Sequence, residues 1–192
     1  MKKRCLIVVG FICYAMVITS CEKGSLGGNS KHKRYDSLFL GISLGMEQKA
    51  FFDHCWKLNN EKVFTNGPAA KSVEYKLVDD FYAPVMMRFY PSFYRDKIYE
   101  MPVTFSYQGW APWNKQFSSD SLLPHVLTMF KKWYGPDFKL LQHPRMGAVY
   151  IKMDGNRRIN IFIRDDQFVQ AVFTDLEMER EKKKEEENAP TN

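Results

Sequence analysis

The chain has 192 residues, of which 45% are hydrophobic and 15% are aromatic, and this composition excludes an intrinsically disordered polypeptide. The formal net charge of +6 is spread along the sequence without a nucleic-acid-binding motif, so we expect no nucleic-acid partner. The sequence also lacks a metal-ligand pattern, a phosphate-binding loop, a dinucleotide fingerprint and a nucleophile elbow. We therefore expect no metal, no cofactor and no enzymatic activity.

The beginning of the chain has the organisation of an export signal. Lys2, Lys3 and Arg4 precede an uncharged, apolar run from Cys5 to Val17, which is shorter than the roughly 20 residues that a membrane-spanning helix needs. We predict that residues 1–20 are a signal peptide. Its removal leaves 25 of the 28 basic residues and all 22 acidic ones, so the net charge of the remaining chain is only +3.

The end of this signal, Ile18-Thr19-Ser20-Cys21, resembles the lipobox of bacterial lipoproteins. The resemblance implies cleavage before Cys21 and acylation of its thiol and new amino group, so that a membrane becomes a partner through the lipidated Cys21. Several acyl chains, at about 0.8 kcal/mol per buried methylene group, hold a protein on a membrane more firmly than one chain does. The resemblance thus implies a lipid-anchored protein of the bacterial cell envelope, with the outer membrane as the expected address.

The rest of the sequence divides into three parts by composition. Residues 21–34 are rich in Gly and Ser and poor in apolar side chains, which is typical of a flexible tether. Residues 35–176 have the hydrophobic patterning of a globular domain without a membrane-spanning stretch. Residues 177–192 form a charged tail that lacks a core-forming stripe, which predicts a solvated helical extension or a disordered end.

One helix and three strands are predicted in the first half of the domain. The helix runs from about Met46 to Leu58, and its apolar stripe, at spacings of three and four residues, consists of Phe51, Phe52, Cys55 and Leu58. Runs rich in Val, Tyr and Phe predict the strands Val73 to Val78, Val85 to Tyr90 and Lys97 to Tyr107. Turn-forming residues separate these runs, which favours an antiparallel meander.

The same order of elements recurs in the second half. A helix is predicted from Ser119 to Tyr134, and its apolar stripe consists of Leu123, Val126, Leu127 and Phe130. The strands are Ala148 to Met153, Arg158 to Arg164 and Phe168 to Asp175. Val73 also aligns with Val149 when the halves are compared at one constant offset. We therefore predict an α+β fold in which two helix-plus-three-stranded antiparallel meander units, residues 38–107 and 119–175, pack as one domain.

The domain opens with a Gly-containing lead-in, Leu40-Gly41-Ile42-Ser43-Leu44-Gly45-Met46, which is followed by the predicted helix and strands. In this respect residues 40–58 resemble small envelope lipoproteins of the SmpA/BamE type. Those proteins have one such unit, whereas this sequence predicts two. The resemblance therefore implies a common architecture, and a role in outer-membrane protein assembly does not carry over with it.

Cys55 is the only cysteine after Cys21, and it follows Asp53 and His54 directly. Adjacent helical side chains point about 100° apart, so this triplet does not by itself form a catalytic Cys–His pair. We expect Cys55 to be a structural residue on the helix stripe and His54 to lie in solvent. The catalytic alternative requires an accessible thiol in an electropositive setting.

The segment from Tyr107 to Asn114, which joins the first meander to the second helix, is the main candidate for a binding role. It contains Trp110 and Trp113, which, when exposed beside Tyr107, would provide a platform for a sugar ring or an anchor for a protein. Alternatively, both indoles fold back and close the seam between the two units. The sequence favours a non-enzymatic protein-interaction or scaffolding module. The alternative is a lipoprotein that binds a glycan or small ligand through Trp110 and Trp113.

Overall fold

The computed structural model describes residues 33–68 and 71–189 of the chain. The predicted signal peptide, Cys21 and most of the tether lie outside the described residues. Within these ranges, three α-helices accompany nine β-strands that form one antiparallel sheet. None of the helices described has the length and apolar character of a membrane-spanning segment. The predicted α+β class is confirmed.

The first half contains the predicted helix and strands together with two short additional strands. The order is α1 (Gln48–Asn60), β1 (Thr65–Asn66), β2 (Val73–Leu77), β3 (Val85–Phe89), β4 (Ser92–Tyr94) and β5 (Lys97–Tyr107). The predicted strands correspond to β2, β3 and β5, so a count of three strands in this half is wrong. β1 and β4 have only two and three residues, which is too short to give a periodic pattern of their own.

A two-residue turn joins β4 to β5. Tyr94 pairs with Lys97, and both turn residues, Arg95 and Asp96, have positive φ angles of 48° and 58°. Two consecutive residues of this kind give a turn whose twist matches that of the flanking antiparallel strands. As a result, β4 and β3 lie along the same edge of β5, with β4 beside its beginning and β3 beside its end.

Four strands, not three, follow the second helix. The order is α2 (Ser119–Tyr134), β6 (Lys139–His143), β7 (Gly147–Asp154), β8 (Arg157–Ile163), β9 (Val169–Asp175) and α3 (Leu176–Asn188). α2 has the predicted bounds and ends at Gly135, whose φ of 94° favours glycine. The predicted strands correspond to β7, β8 and β9. α3 occupies most of the predicted charged tail, so the helical alternative is the one found.

The last strands of the two halves meet in the middle of the sheet. The strand order is β1-β2-β3-β5-β9-β8-β7-β6, and β4 pairs with β5 beside that path. Val103 of β5 lies opposite Ala171 of β9 in an antiparallel pair. The aligned valines occupy different positions in their strands, since Val73 is the first residue of β2 and Val149 is the third residue of β7.

The hydrophobic core is centred on β5 and β9. Alternate residues of these two strands are fully buried, as expected for strands with one face against a core: Met101, Val103, Phe105, Val169, Ala171 and Phe173. Phe130 of α2 stacks on Phe173 with the ring centroids 5.7 Å apart. Fully burying a side chain of this size contributes about 1.5–3 kcal/mol.

The buried faces of α1 and α2 differ from the apolar stripes predicted for these two helices. In α2, Leu123 and Leu127 are half-buried, and the buried apolar residues are Leu122, Val126, Met129 and Phe130. In α1, Phe51 is fully buried but Phe52 is 42% exposed, because adjacent helical side chains cannot both point at one core. Leu122 and Leu123 belong to two overlapping apolar stripes of α2. The stripe that contains Leu122 is the one that packs against the sheet.

Candidate interaction surfaces

Tyr107, the first residue of the predicted binding segment, is buried. Its ring centroid lies 5.0 Å from that of Tyr82 and 5.2 Å from that of Phe117. Burial, with a contribution from the Tyr82 hydroxyl, raises the pKa of the Tyr107 hydroxyl. The structure therefore places Tyr107 in the core at the end of β5, where it packs beneath the connection to α2.

Trp110 and Trp113 differ from each other in their surroundings. Trp110 is half-buried, and its indole Nε1 donates a hydrogen bond to the Asp166 carbonyl oxygen, 3.2 Å away, in the turn between β8 and β9. The side chain of Trp113 is 85% exposed. In the part of the chain that the structure describes, the rings of Trp110 and Trp113 are not in contact with each other. Trp110 thus links the two halves, as the seam alternative predicts, whereas Trp113 is solvated.

Cys55 packs against the core in α1 as a half-buried free thiol. Burial raises the pKa of the Cys55 thiol to about 11, so the thiol is protonated at neutral pH. A thiol needs a lowered pKa to act as a nucleophile at that pH. This environment agrees with the predicted structural role of Cys55.

His54 is not in solvent, contrary to the prediction. Its ring is half-buried, and Nε2 lies 2.7 Å from the Leu40 carbonyl oxygen, so a proton on Nε2 makes this a hydrogen bond. Gly41 lies beneath the ring with a φ of 79°, and a Cβ at this position would come within 3.0 Å of His54 Cε1. The helix stripe could not show this contact because its partner belongs to the lead-in segment.

A buried carboxylate fastens the beginning of the described chain to the end of the sheet. Asp175 is completely buried, and its Oδ1 accepts hydrogen bonds from the backbone N–H groups of Glu177 and Met178, which caps α3. Its Oδ2 lies 2.7 Å from Arg34 Nη2. Arg34 also contacts Asp36, and these two carboxylates raise the pKa of its guanidinium further above its ordinary value.

Asn156, in the turn between β7 and β8, holds the same segment from the other side. Its Oδ1 accepts a hydrogen bond from the Tyr35 backbone N–H at 2.7 Å, and its Nδ2 donates to Asp36 Oδ1 at 2.8 Å. Asn156 is itself buried. The chain is therefore fixed to the folded body from Arg34, the last residue of the predicted tether, onward.

Arg157, next to this turn, is a buried cation with partners on two sides. Its Nη1 donates to the Ser37 carbonyl oxygen at 2.5 Å and its Nη2 to Asp154 Oδ2 at 2.9 Å. The guanidinium carbon also lies 4.8 Å from the ring centroid of Tyr134. Because a buried charge is costly unless it is paired, these contacts indicate a structural role in closing this end of the sheet.

The clearest exposed apolar surface of the sheet is the edge strand β6. All five of its residues are exposed, and the side chains of Leu140 and Leu141 are 51% and 53% exposed. Successive residues of a strand point to opposite faces, so exposure of both leucines means that neither face of β6 is covered. Met153, in the neighbouring strand β7, is exposed as well. We call β6 together with Met153 the β6 edge.

Sequence reasoning missed the β6 edge and several exposed aromatic residues, of which Trp56 of α1 is the most exposed. Leu140 and Leu141 are adjacent, so they give no alternating pattern, although Pro136 and Pro144 bracket a run of strand length. Trp56 lies off the predicted stripe of α1. Trp56 stands four residues after Phe52, at the edge of that stripe, and a single exposed aromatic residue is not a signal by itself, so only its surroundings in the fold single it out.

The described residues, 33–68 and 71–189, contain no cluster of His, Cys, Asp and Glu side chains that could hold a metal ion. Comparison of the chain with protein-family models found no match. Comparisons with curated proteins and with solved structures found no similar protein either.

Proposed function

We propose that this chain is a lipid-anchored protein of the bacterial cell envelope whose α+β body binds another envelope protein through the β6 edge. The anchor rests on the resemblance of Ile18–Cys21 to a lipobox, and a membrane is then the partner of Cys21. The observation that carries the protein-binding role is the exposure of Leu140 and Leu141 on β6, an edge strand that pairs only with β7 among the described strands.

An exposed edge strand is suited to strand addition. Its outer backbone N–H and C=O groups are available to a further extended segment, and exposed side chains on both faces supply specificity. Soluble proteins usually protect such edges with charge, proline or a bulge. β6 has Lys139 at one end and Pro144 just after its other end, and its central residues carry no such protection. A partner strand would cover both leucines.

We also propose that the two halves of the domain are tandem helix-and-meander units. Two observations support this: each long helix precedes a run of antiparallel strands, and the last strands of the two runs, β5 and β9, pair with each other. In such an arrangement the additional strands β1, β4 and β6 belong to the outer parts or the connections of each unit.

Photo-crosslinking in intact cells tests the protein-binding role. A photoreactive amino acid at position 141 should give one discrete adduct with another envelope protein, because this position lies in the middle of β6. The same amino acid at position 76 is the control, since Lys76 is exposed on β2 but is far from β6 in the strand order. Adducts of equal yield at both positions, or none at 141, would contradict the proposal.

The double variant Leu140→Lys/Leu141→Lys tests the same surface. For this test the photoreactive amino acid is placed at position 153, and the double variant should abolish the adduct with the envelope protein. Both leucines are half-exposed or more, so the unfolding midpoint should change little. Cys21→Ala is the complementary control. Loss of the adduct in Cys21→Ala would mean that the protein reaches its partner only when it is anchored in the membrane.

A further inference from the structure

A groove between α1 and the strands β1 and β2 has the form of a small-molecule site. Its volume is about 490 Å³, within the range of about 300–1,000 Å³ that is common for ligand sites. Five aromatic side chains line it: Phe51, Phe52, Trp56, Phe64 and Tyr90. The groove is remote from β6 in the strand order and shares no residue with the β6 edge.

The aromatic rings divide into a fixed floor and an exposed wall. Phe51 and Phe64 are fully buried, and the ring of Phe51 meets that of Tyr90 edge-on with the centroids 6.3 Å apart. Trp56 is 72% exposed, although it stands four residues after Phe52 on the same side of α1. An indole exposed to this extent beside a braced aromatic floor leaves one large ring face open to a ligand.

Polar groups stand beside the rings. Asp53 and Asn59 lie three residues before and after Trp56, so they share its side of α1, and Asn66 and Ser72 reach the groove from β1 and from the residue before β2. Together they offer a carboxylate, which accepts hydrogen bonds, and amide and hydroxyl groups, which both donate and accept them. Lys49 contacts Asp53 at 2.5 Å from outside the groove.

We propose that this groove binds a saccharide, a function that goes beyond the protein binding proposed for the β6 edge. A sugar ring presents a C–H face that packs on an aromatic ring, while its hydroxyl groups bond to carboxylate and amide side chains. Among the described residues, no Lys or Arg lines the groove, which disfavours a phosphate or another anionic ligand, since such ligands are bound by cations.

The same residues indicate binding without cleavage. Hydrolysis of a glycosidic bond ordinarily uses two carboxyl groups about 5 to 10 Å apart. Within residues 33–68 and 71–189, Asp53 is the only residue with a carboxylate that lines the groove. The Cys55 thiol also lines it and remains protonated at neutral pH, so this thiol is not an activated nucleophile. The site therefore fits a lectin-like role.

The test uses the full-length lipidated chain in a detergent without a sugar headgroup. The probe is an array of oligosaccharides built from the uncharged sugars glucose, galactose, mannose and N-acetylglucosamine. At least one of them should bind, and titration calorimetry should then give its Kd. Trp56→Ala should raise that Kd tenfold or more, and Asp53→Asn should also weaken binding because it removes the carboxylate without changing the size of the side chain.

Trp113→Ala is the matched control, because Trp113 is a still more exposed indole in another part of the chain. It should leave the Kd unchanged, as should the double lysine variant of β6, so the groove and the β6 edge are tested separately. The proposal is overturned if no oligosaccharide binds, or if binding survives Trp56→Ala. It is also overturned if an apolar peptide, but no saccharide, binds in a Trp56-dependent manner. Circular dichroism of Trp56→Ala and Asp53→Asn confirms that both variants are folded.

Discussion

Arg34 places its guanidinium 2.7 Å from the buried carboxylate of Asp175, although the two residues are 141 positions apart in the sequence. This contact joins the first described residues to the strand that lies at the centre of the sheet. Asp175 also caps α3, so one carboxylate connects the end of the predicted tether, the sheet and the last helix.

Arg34→Ala should destabilise the body by about 1–2 kcal/mol, because it leaves the buried Asp175 without its cationic partner. The estimate is below that for a fully buried pair, since Arg34 is 42% exposed and water screens part of the interaction. Chemical denaturation of the chain from residue 22 onward measures the change. Lys49→Ala, which breaks the exposed Lys49–Asp53 pair, should alter the unfolding free energy by no more than about 0.5 kcal/mol. Equal effects of the two variants would contradict a special role for Asp175.

Cys21 should carry all of the lipid on the chain. Cys21→Ala should abolish metabolic labelling with a fatty-acid analogue, because the lipobox resemblance assigns acylation to this residue and Cys55 is held in the core. Cys55→Ala is the control and should label normally. Labelling that persists in Cys21→Ala would contradict the predicted anchor.

Cys55 should react slowly with a thiol reagent at neutral pH, and the rate should rise about tenfold per pH unit until the pH approaches the pKa of about 11. The pKa in the folded state lies above the ordinary thiol value of 9.0, so burial of the neutral thiol contributes stability that is fully present below pH 9 and is lost as the pH rises through about 11. Cys55→Ala should remove that pH dependence and cost roughly 1 kcal/mol. Fast modification at pH 7 would indicate an accessible thiol instead.

Trp110→Ala and Trp113→Ala should differ in their effect on stability. Loss of Trp110 removes a half-buried ring and its hydrogen bond to Asp166, which should cost about 1–3 kcal/mol. Loss of Trp113 should change the unfolding free energy by no more than about 0.5 kcal/mol, because its side chain is almost entirely in water. Denaturation midpoints of the two variants provide the comparison. Similar midpoints would show that the seam contact of Trp110 is unimportant.

The elements that sequence reasoning placed well are those whose residues face a single core. β3 alternates buried and less buried residues along its length, β5 does so from Met101 to Phe105, and α2 ends at a glycine with a positive φ. β6 was missed because its two leucines are adjacent and both exposed. β6 belongs to the sheet because it pairs with β7, and the residue pattern of one strand alone does not predict such a pairing.

The candidate sites were harder to predict because they depend on contacts between distant segments. Tyr107 belongs to the same aromatic-rich stretch as Trp113, yet Tyr82 and Phe117 bury it. Trp56 has no partner that a sequence pattern would reveal, and only the packing of α1 beside β1 and β2 sets it above a groove. Periodicity thus identifies core faces, whereas an exposed aromatic residue acquires meaning from what the fold brings next to it.

The pairing of β5 with β9 also determines when the chain can finish folding. β5 pairs with β3 and β4 along one edge, and its other edge gains a partner only when residues 169–175 arrive from near the end of the chain. Contacts between such distant segments slow folding, and a long apolar strand with an open edge is prone to aggregation in the meantime. A chain that emerges from its N-terminus during synthesis therefore keeps this edge of β5 open until residues 169–175 have emerged as well.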